Sequence, residues 1–255
     1  MFDLSIIVPS IRPEEWDRLT QEINESLTCG KVTLAHEIIF VGPYPPAVKL
    51  GTNCLYIESF RSPAACLQQG ADIASGTKIC WLPDDIKIMP EVLAVCVYQF
   101  LQYDKTDGLI LLYSEGENFT GQQHVWNDYW AARTHEGLRF KHVNHGFMIA
   151  PVFMYDTAYF KELGGLDCRF EHINLNTADL AFRLQMAGGS MYRSCARVFA
   201  ANWDPNPNRV VQKAYEENDL PLFKQIWDAD VLDRPVKIDF DNWQATDEKW
   251  ARRFK

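Results

Sequence analysis

The sequence predicts an α/β protein: a mostly parallel central sheet flanked by helices, with a C-terminal extension. Three observations point that way. Short β-branched runs alternate with helical segments through the first 113 residues, the rhythm of successive βαβ units. Three helical segments open on or next to a proline ("PEEW", "SPAAC", "PEVL"), a residue preorganised for the first turn. Hydrophobic residues make up 47% of the chain, yet the longest apolar runs, such as "LILLY", are far too short to span a bilayer, so they are destined for a core.

Taken in order, "LSIIVP" (4–9) reads as a strand ended by Pro9. "PEEWDRLTQEINESL" (13–27) is a helix, with acids in its first turn and Trp16, Leu19 and Ile23 at helical spacing. "HEIIFVG" (36–42) and "CLYIE" (54–58) are strands, the former closed by the turn-rich "GPYPP". "SPAACLQQGADIASG" (62–76) is a helix capped by Ser62 and stopped at Ser75–Gly76. "KICWLP" (78–83) is the next strand, "PEVLAVCVYQFLQ" (90–102) the next helix and "GLILLY" (108–113) another strand. Residues 114–145 are polar and aromatic with weak periodicity, and read as a long excursion over the sheet's carboxyl edge that contains a β-ribbon. Then come "GFMIAP" (146–151, strand), "DTAYFKELGG" (156–165, helix), "NTADLAFRLQMAGG" (176–189, helix) and "YRSCARVFAAN" (192–202, strand). From 203 onward the proline- and tryptophan-bearing segments read as an extension packed on the outside.

Charge narrows the partners. With 25 basic against 34 acidic residues the formal charge is −9, which argues against nucleic acid as a partner. An anionic small ligand remains compatible, because a bound cation inverts the local sign. Phe2 and Asp3 lead straight into the first strand without a basic leader, so the expected location is cytoplasmic, with no transmembrane segment. The seven cysteines (29, 54, 66, 80, 96, 168 and 195) show no CxxC or Cys/His spacing. They are expected to be reduced core residues, and a zinc site is not expected.

The stretch "KICWLPDDIKIMP" (78–90) carries the chemistry. Adjacent carboxylates repel, so Asp84 and Asp85 are either solvated in a turn or neutralised by something positive beside a ligand. They follow the carboxyl end of a strand, the edge where parallel sheets hold their ligands.

Three pieces in order resemble nucleotide-sugar-dependent glycosyltransferases with the GT-A fold, in particular the family 2 type. They are "LSIIVPSIRPEEW", "RSPAACLQQGADIASGTKICWLPDDIKIMPEVL" with its DXD-like acids, and "FKELGGLDCRFEHINLNTADLAFRLQMAGG", similar to the family's "GG.D..F…ED..L..R…AG" segment. The resemblance implies a catalytic domain over 1–205, with a nucleotide-sugar-binding half (1–113) and an acceptor-side half (114–205), and an extension over 206–255. It implies transfer of a sugar from a nucleoside-diphosphate donor to a glycan or other hydroxyl acceptor, with inversion at the anomeric carbon and Mn²⁺ or Mg²⁺ as cofactor. A hard cation of this kind needs only one or two protein carboxylates beside the phosphates.

By the same resemblance, Asp85 is the metal ligand, Asp84 faces the ribose or assists the metal, and Pro9 and Ser10 meet the base and ribose. Arg61 reaches the nucleotide, unless it forms a surface salt bridge. Asp179 deprotonates the acceptor, unless it only complements its helix dipole; here "TAD" puts Ala178 where the family has Glu. The "LGGLD" segment (163–167) shapes the acceptor side. His145 and His172 are candidate metal or acceptor contacts, and Trp126 and Trp130 candidate acceptor-stacking residues, each with a packing role as the alternative. Two departures stand out. "VGPYPP" (41–46) replaces the acid-bearing "VDDGS" of many relatives, which leaves the nucleobase open, and Pro83 stands where some relatives carry the first acid. Two other functions fit the same residues: a non-catalytic nucleotide-sugar-binding module, and a nucleotidyltransferase. The second lacks its glycine-rich phosphate loop in "PSIRPEEW".

Overall fold

The computed structural model describes residues 2–47, 49–116, 123–125, 147–202, 206 and 209–254. Strand β1 (Leu4–Pro9) passes through a 3₁₀ turn (Pro13–Glu15) into helix α1 (Trp16–Ser26). A small ribbon, β2 (Thr28–Cys29) with β3 (Val32–Thr33), precedes β4 (His36–Gly42) and β5 (Cys54–Glu58). Helix α2 (Pro63–Ile73) leads to β6 (Lys78–Trp81), the short β7 (Ile86–Ile88) and α3 (Val92–Phe100). Next come β8 (Gly108–Gly116), β9 (Gln123–Val125), β10 (Phe153–Asp156) and α4 (Thr157–Glu162). Helix α5 (Ile173–Met186) and β11 (Met191–Asn202) follow, then α6 (Val210–Ala214), a π-helical turn (Tyr215–Asp219), α7 (Leu220–Trp227) and a 3₁₀ turn (Phe240–Ala245).

The main sheet runs β5-β4-β1-β6-β10-β8-β11-β7, with β9 on β8. Strands β5, β4, β1 and β6 are mutually parallel. Strand β10 is antiparallel to both β6 and β8, so β8 points the same way as β6, and β11 is parallel to β8. The edge strand β7 is antiparallel to β11. Among the described residues the sheet is thus mixed, with four parallel and four antiparallel pairings, but six of its nine strands share one direction and gather their carboxyl ends along one edge.

Burial explains why these segments are strands. Every residue of β4 is buried, as expected where a parallel strand is covered on both faces. Trp16 of α1 stacks on Phe40 of β4 at 4.4 Å between ring centroids, fixing that helix on the sheet. A second cluster joins Phe170 and Phe182 to Phe223 and Trp227 of α7, so the C-terminal extension contributes core and does not merely rest on the outside.

Other expectations also change. The strand predicted over 146–151 is instead Phe153–Asp156: Met148 makes only an isolated bridge, and Pro151 has no N–H to give a ladder. The apolar segment after the acid pair is itself a strand, β7. All seven cysteines are free, but Cys29 and Cys195 are exposed and not core residues. The ribbon expected in the excursion is present where β9 pairs with the end of β8. No helix among the described residues is long and apolar enough to cross a membrane.

Candidate active site

A cavity of about 400 Å³ lies at the shared carboxyl edge. Its walls come from the ends of β1, β4, β8 and β11, from the turn after β6, from the start of α5 and from the C-terminal Arg253 and Phe254. Pro9, Ser10, Arg61, Asp84, Asp85 and His172 all line it, so residues far apart in sequence meet in one volume.

Asp84 is built into its position. Its Oδ2 accepts from Ser10 Oγ at 2.8 Å and from the Ile11 N–H at 3.1 Å, while Oδ1 meets the Arg12 guanidinium. Ser10 Oγ in turn accepts from Trp16 Nε1 at 2.6 Å and from the Arg12 N–H at 3.2 Å. The β1–α1 turn is thereby laced onto the acid. Asp85 is held more loosely: its carboxylate lies 3.6 Å from Arg12 Nη2 and keeps 27% of its side chain exposed. Burial and the neighbouring Asp84 charge raise its pKa above the ordinary value, and Arg12 and Arg209 only partly offset this. The positive partner of the acid pair is thus Arg12. Sequence reasoning missed it, although the residue stands in the quoted "PSIRPEEW" three positions after the strand-ending Pro9.

Among the described residues Arg61 lines the cavity without a carboxylate partner. Its Nη1 donates to the carbonyls of Trp243 (2.7 Å) and Thr246 (3.1 Å) and to Thr246 Oγ1 (2.8 Å), and its guanidinium sits 5.3 Å from the Trp243 ring centroid. It clamps the C-terminal 3₁₀ turn and forms no salt bridge among the described residues. Where an acid was missing from the sequence, Val41, Gly42 and Pro43 form an uncharged wall. Gly42 is required there, because a Cβ would lie 1.8 Å from the Ser10 carbonyl oxygen.

His172 is the N-cap of α5, which starts three residues earlier than predicted; its Nδ1 accepts from the Asn174 N–H at 3.2 Å. Burial, aided by the charge of Arg209, pushes its pKa down to about 4. The ring is therefore neutral near pH 7 and carries its proton on Nε2, so it can donate a hydrogen bond. The backbone on either side of it is pinned by Asp219, which accepts from the Glu171 and His172 N–H groups, both at 2.8 Å.

Asp179 requires a correction. It is completely buried and does not line the cavity. Its carboxylate accepts from Arg183 Nε (2.9 Å), Arg234 Nε (2.9 Å) and Trp227 Nε1 (3.2 Å), and Arg234 Nη2 closes a further contact. So enclosed, the carboxylate does not reach the cavity and sits at the centre of a buried ion-pair cluster. Nor does "LGGLD" shape the cavity wall: none of its residues is there. Arg183 grips the carbonyls of Leu163 (2.7 Å) and Gly165, and Gly164 holds a positive φ of 84° against the Ile238 backbone. His145, Trp126 and Trp130 lie outside the described residues. The carboxylate that sequence reasoning overlooked is Glu115, on the cavity wall near the end of β8 and paired in register with Ala201.

Among the described residues no group of three His, Cys, Asp or Glu side chains could hold a metal ion. Among the described residues the cavity offers the hard carboxylate oxygens of Asp84, Asp85 and Glu115. That set fits Mg²⁺ or Mn²⁺ sharing its coordination with ligand phosphates, and it does not fit zinc.

No family model matches the sequence, and no curated protein matches it. Similar solved structures do exist. Staphylococcus aureus TarS 1-349 in complex with UDP matches with a TM-score of 0.57 at 14% identity, covering 90% of this chain and 67% of that one. A mutant Drosophila beta-1,4-galactosyltransferase 7 in complex with manganese, UDP-Gal and xylobiose gives 0.54 at 14% identity, over 95% and 84%. GalNAc-T7 with UDP, GalNAc and Mn²⁺ gives 0.56 at 13% identity; it is matched over 85% of this chain, which spans about half of that one at 48%. Taken with the strand order and the acid pair at the carboxyl edge, these likenesses identify the architecture: the chain has the GT-A fold.

Proposed function

We propose that this protein is a glycosyltransferase that moves a sugar from a nucleoside-diphosphate donor to a hydroxyl acceptor. One observation carries the reading: at the carboxyl edge of a GT-A sheet, a single cavity collects Asp84, Asp85 and four arginines (Arg12, Arg61, Arg209 and Arg253). Such a mixture suits a diphosphate better than either sign alone would. Asp84, rigid and already neutralised by Arg12, orients the donor's sugar hydroxyls. Asp85, partly exposed and held less tightly than Asp84, with Arg12 Nη2 3.6 Å away, is the carboxylate left to hold a divalent ion. That ion would supply positive charge to the departing diphosphate. Manganese and UDP in the similar structures support Mn²⁺ and uridine nucleotides as the first choices to test.

Inversion at the anomeric carbon needs a base on the acceptor side. Asp179 is sealed away, and Glu115 is the cavity carboxylate outside the acid pair, so we assign the acceptor proton to Glu115. The neutral His172 donates a hydrogen bond to the donor or acceptor from its Nε2.

A second reading, a nucleotide-sugar-binding module without turnover, is favoured by the uncharged wall at Val41–Pro43 and by the loss of Asp179 from the site. One experiment separates the two. A panel of nucleotide sugars is incubated with the protein and Mn²⁺, and thermal unfolding and nucleoside-diphosphate release are followed together. Protection with release supports the enzyme, protection without release supports the module, and no protection by any donor contradicts both.

A further inference from the structure

Arg253 reaches the cavity from the far end of the chain. Residues 250–254 form a hook, closed by the N–H groups of Arg253 and Phe254 donating to the Trp250 carbonyl at 3.0 and 2.9 Å. The hook is anchored on both sides. Trp250 N–H donates to the Phe60 carbonyl at 2.8 Å, and the Phe254 ring meets Phe60 edge-on at 5.3 Å. Trp250 Nε1 donates to Glu171 Oε2 at 2.8 Å, and Arg252 pairs with Glu171 and Glu217. Arg253 is thereby held half-buried against the cavity, its guanidinium 5.4 Å from the Trp250 ring centroid.

The acid that acts on it through space, Asp84, is already paired with Arg12. Among the described residues no carboxylate lies within ion-pair distance of Arg253, whereas Arg12 faces both acids and Arg61 Nη1 is committed to carbonyls. Burial lowers the pKa of Arg253, and the like charge of Arg12 lowers it further, with Asp84 acting in the opposite sense. Holding one guanidinium near another at a half-buried site costs free energy that an incoming anion recovers. A planar guanidinium fork also matches the oxygens of a phosphate.

The geometry points to Arg253 as a binding residue for the donor's diphosphate, delivered to the cavity by the C-terminal hook. This rests on the cavity being a nucleoside-diphosphate site, and it adds a phosphate contact that no motif in the sequence reveals. The test is calorimetric titration of the full chain with UDP, GDP and ADP in Mn²⁺, and with the matching nucleosides. Arg253→Ala is expected to weaken binding of the preferred diphosphate roughly ten- to hundredfold while leaving its nucleoside unchanged, the effect of a lost charge-assisted hydrogen bond. Arg253→Lys should recover part of the loss. Arg253→Gln keeps most of the stem, and its unfolding midpoint, followed by circular dichroism, guards against a folding defect. Wild-type diphosphate affinity in both Arg253→Ala and Arg253→Gln overturns the proposal and leaves the function standing. An equal loss for nucleoside and diphosphate overturns it too, by moving Arg253 to the base. If the wild-type protein binds none of the diphosphates, the functional reading fails first and takes the proposal with it.

Discussion

Replacing Asp179 by Asn distinguishes a structural carboxylate from a catalytic one. Asp179 and Arg183 are both 0% exposed and Arg234 only 4%, so the charges sit where water cannot compensate for a missing partner. In Asp179→Asn, Arg234 keeps its 2.9 Å contact to Asp167, but Arg183 is left with the carbonyls of Leu163, Gly165 and Val236. Burial alone would raise the Asp167 pKa, yet the Arg169 hydrogen bonds and the Arg234 charge hold it below the ordinary value, so that arm survives. Breaking one side of a buried pair costs about 3–5 kcal/mol. At roughly 2–4 °C per kcal/mol for a chain of this size, the unfolding midpoint should fall by about 6–20 °C. Circular dichroism melts measure this, and nucleoside-diphosphate release at a temperature where the variant is folded measures turnover. Turnover per folded molecule should stay within about threefold of wild type, whereas loss of a general base costs roughly 10²–10⁴. An unchanged melt with abolished turnover would refute the reasoning and return Asp179 to the chemistry.

Two further outcomes follow from the cavity. Glu115→Gln should lower turnover by about 10²-fold or more with donor affinity unchanged, as single-turnover and binding measurements will report; weakened donor binding at normal turnover would move Glu115 to the donor side. The second concerns pH. Burial pushes Asp219 up to about 6 despite the N–H groups it accepts, so its protonated form is favoured in the folded state, and stability is lost as pH rises from about 4 to 6. His172, pushed down to about 4, acts oppositely: stability grows as pH rises from about 4 to 6.5. Each contribution is at most about 3 kcal/mol, and they largely cancel in the wild type. Urea denaturation across this range should show stability rising with pH in Asp219→Asn and falling in His172→Gln, and parallel wild-type-like curves would contradict both assignments.

The outline of the fold was legible because punctuation and periodicity agreed. Pro9 and "GPYPP" bound β1 and β4, and Ser62–Pro63 opens α2, each within a residue of the expectation. The position of Asp84 and Asp85 followed from strand direction alone. What failed was information carried by tertiary partners. Asp179 and Arg183 are spaced i, i+4 on one helix, a pattern that can signal an ion pair as well as a base. The second arginine that encloses Asp179, Arg234, is 55 positions away. Arg12 was overlooked because its role depends on a turn folding back onto an acid 72 positions later. Nothing in "KWARRF" tells which of its arginines anchors and which faces a ligand; only the docking of Trp250 on Phe60 and Glu171 decides that. The strand at 153–156 was placed too early because an apolar run was weighted above the missing N–H of Pro151.

Sugar transfer in this cavity depends on the acid pair holding a dication together with a diphosphate. Mn²⁺ retained by the protein during ultrafiltration, measured with and without UDP or the diphosphate the titrations favour, tests this most directly. Wild-type protein should retain the ion strongly only when the diphosphate is present, and Asp85→Ala should lose at least about tenfold in that affinity. Retention by Asp85→Ala equal to wild type, or wild-type uptake indifferent to the diphosphate, would contradict it.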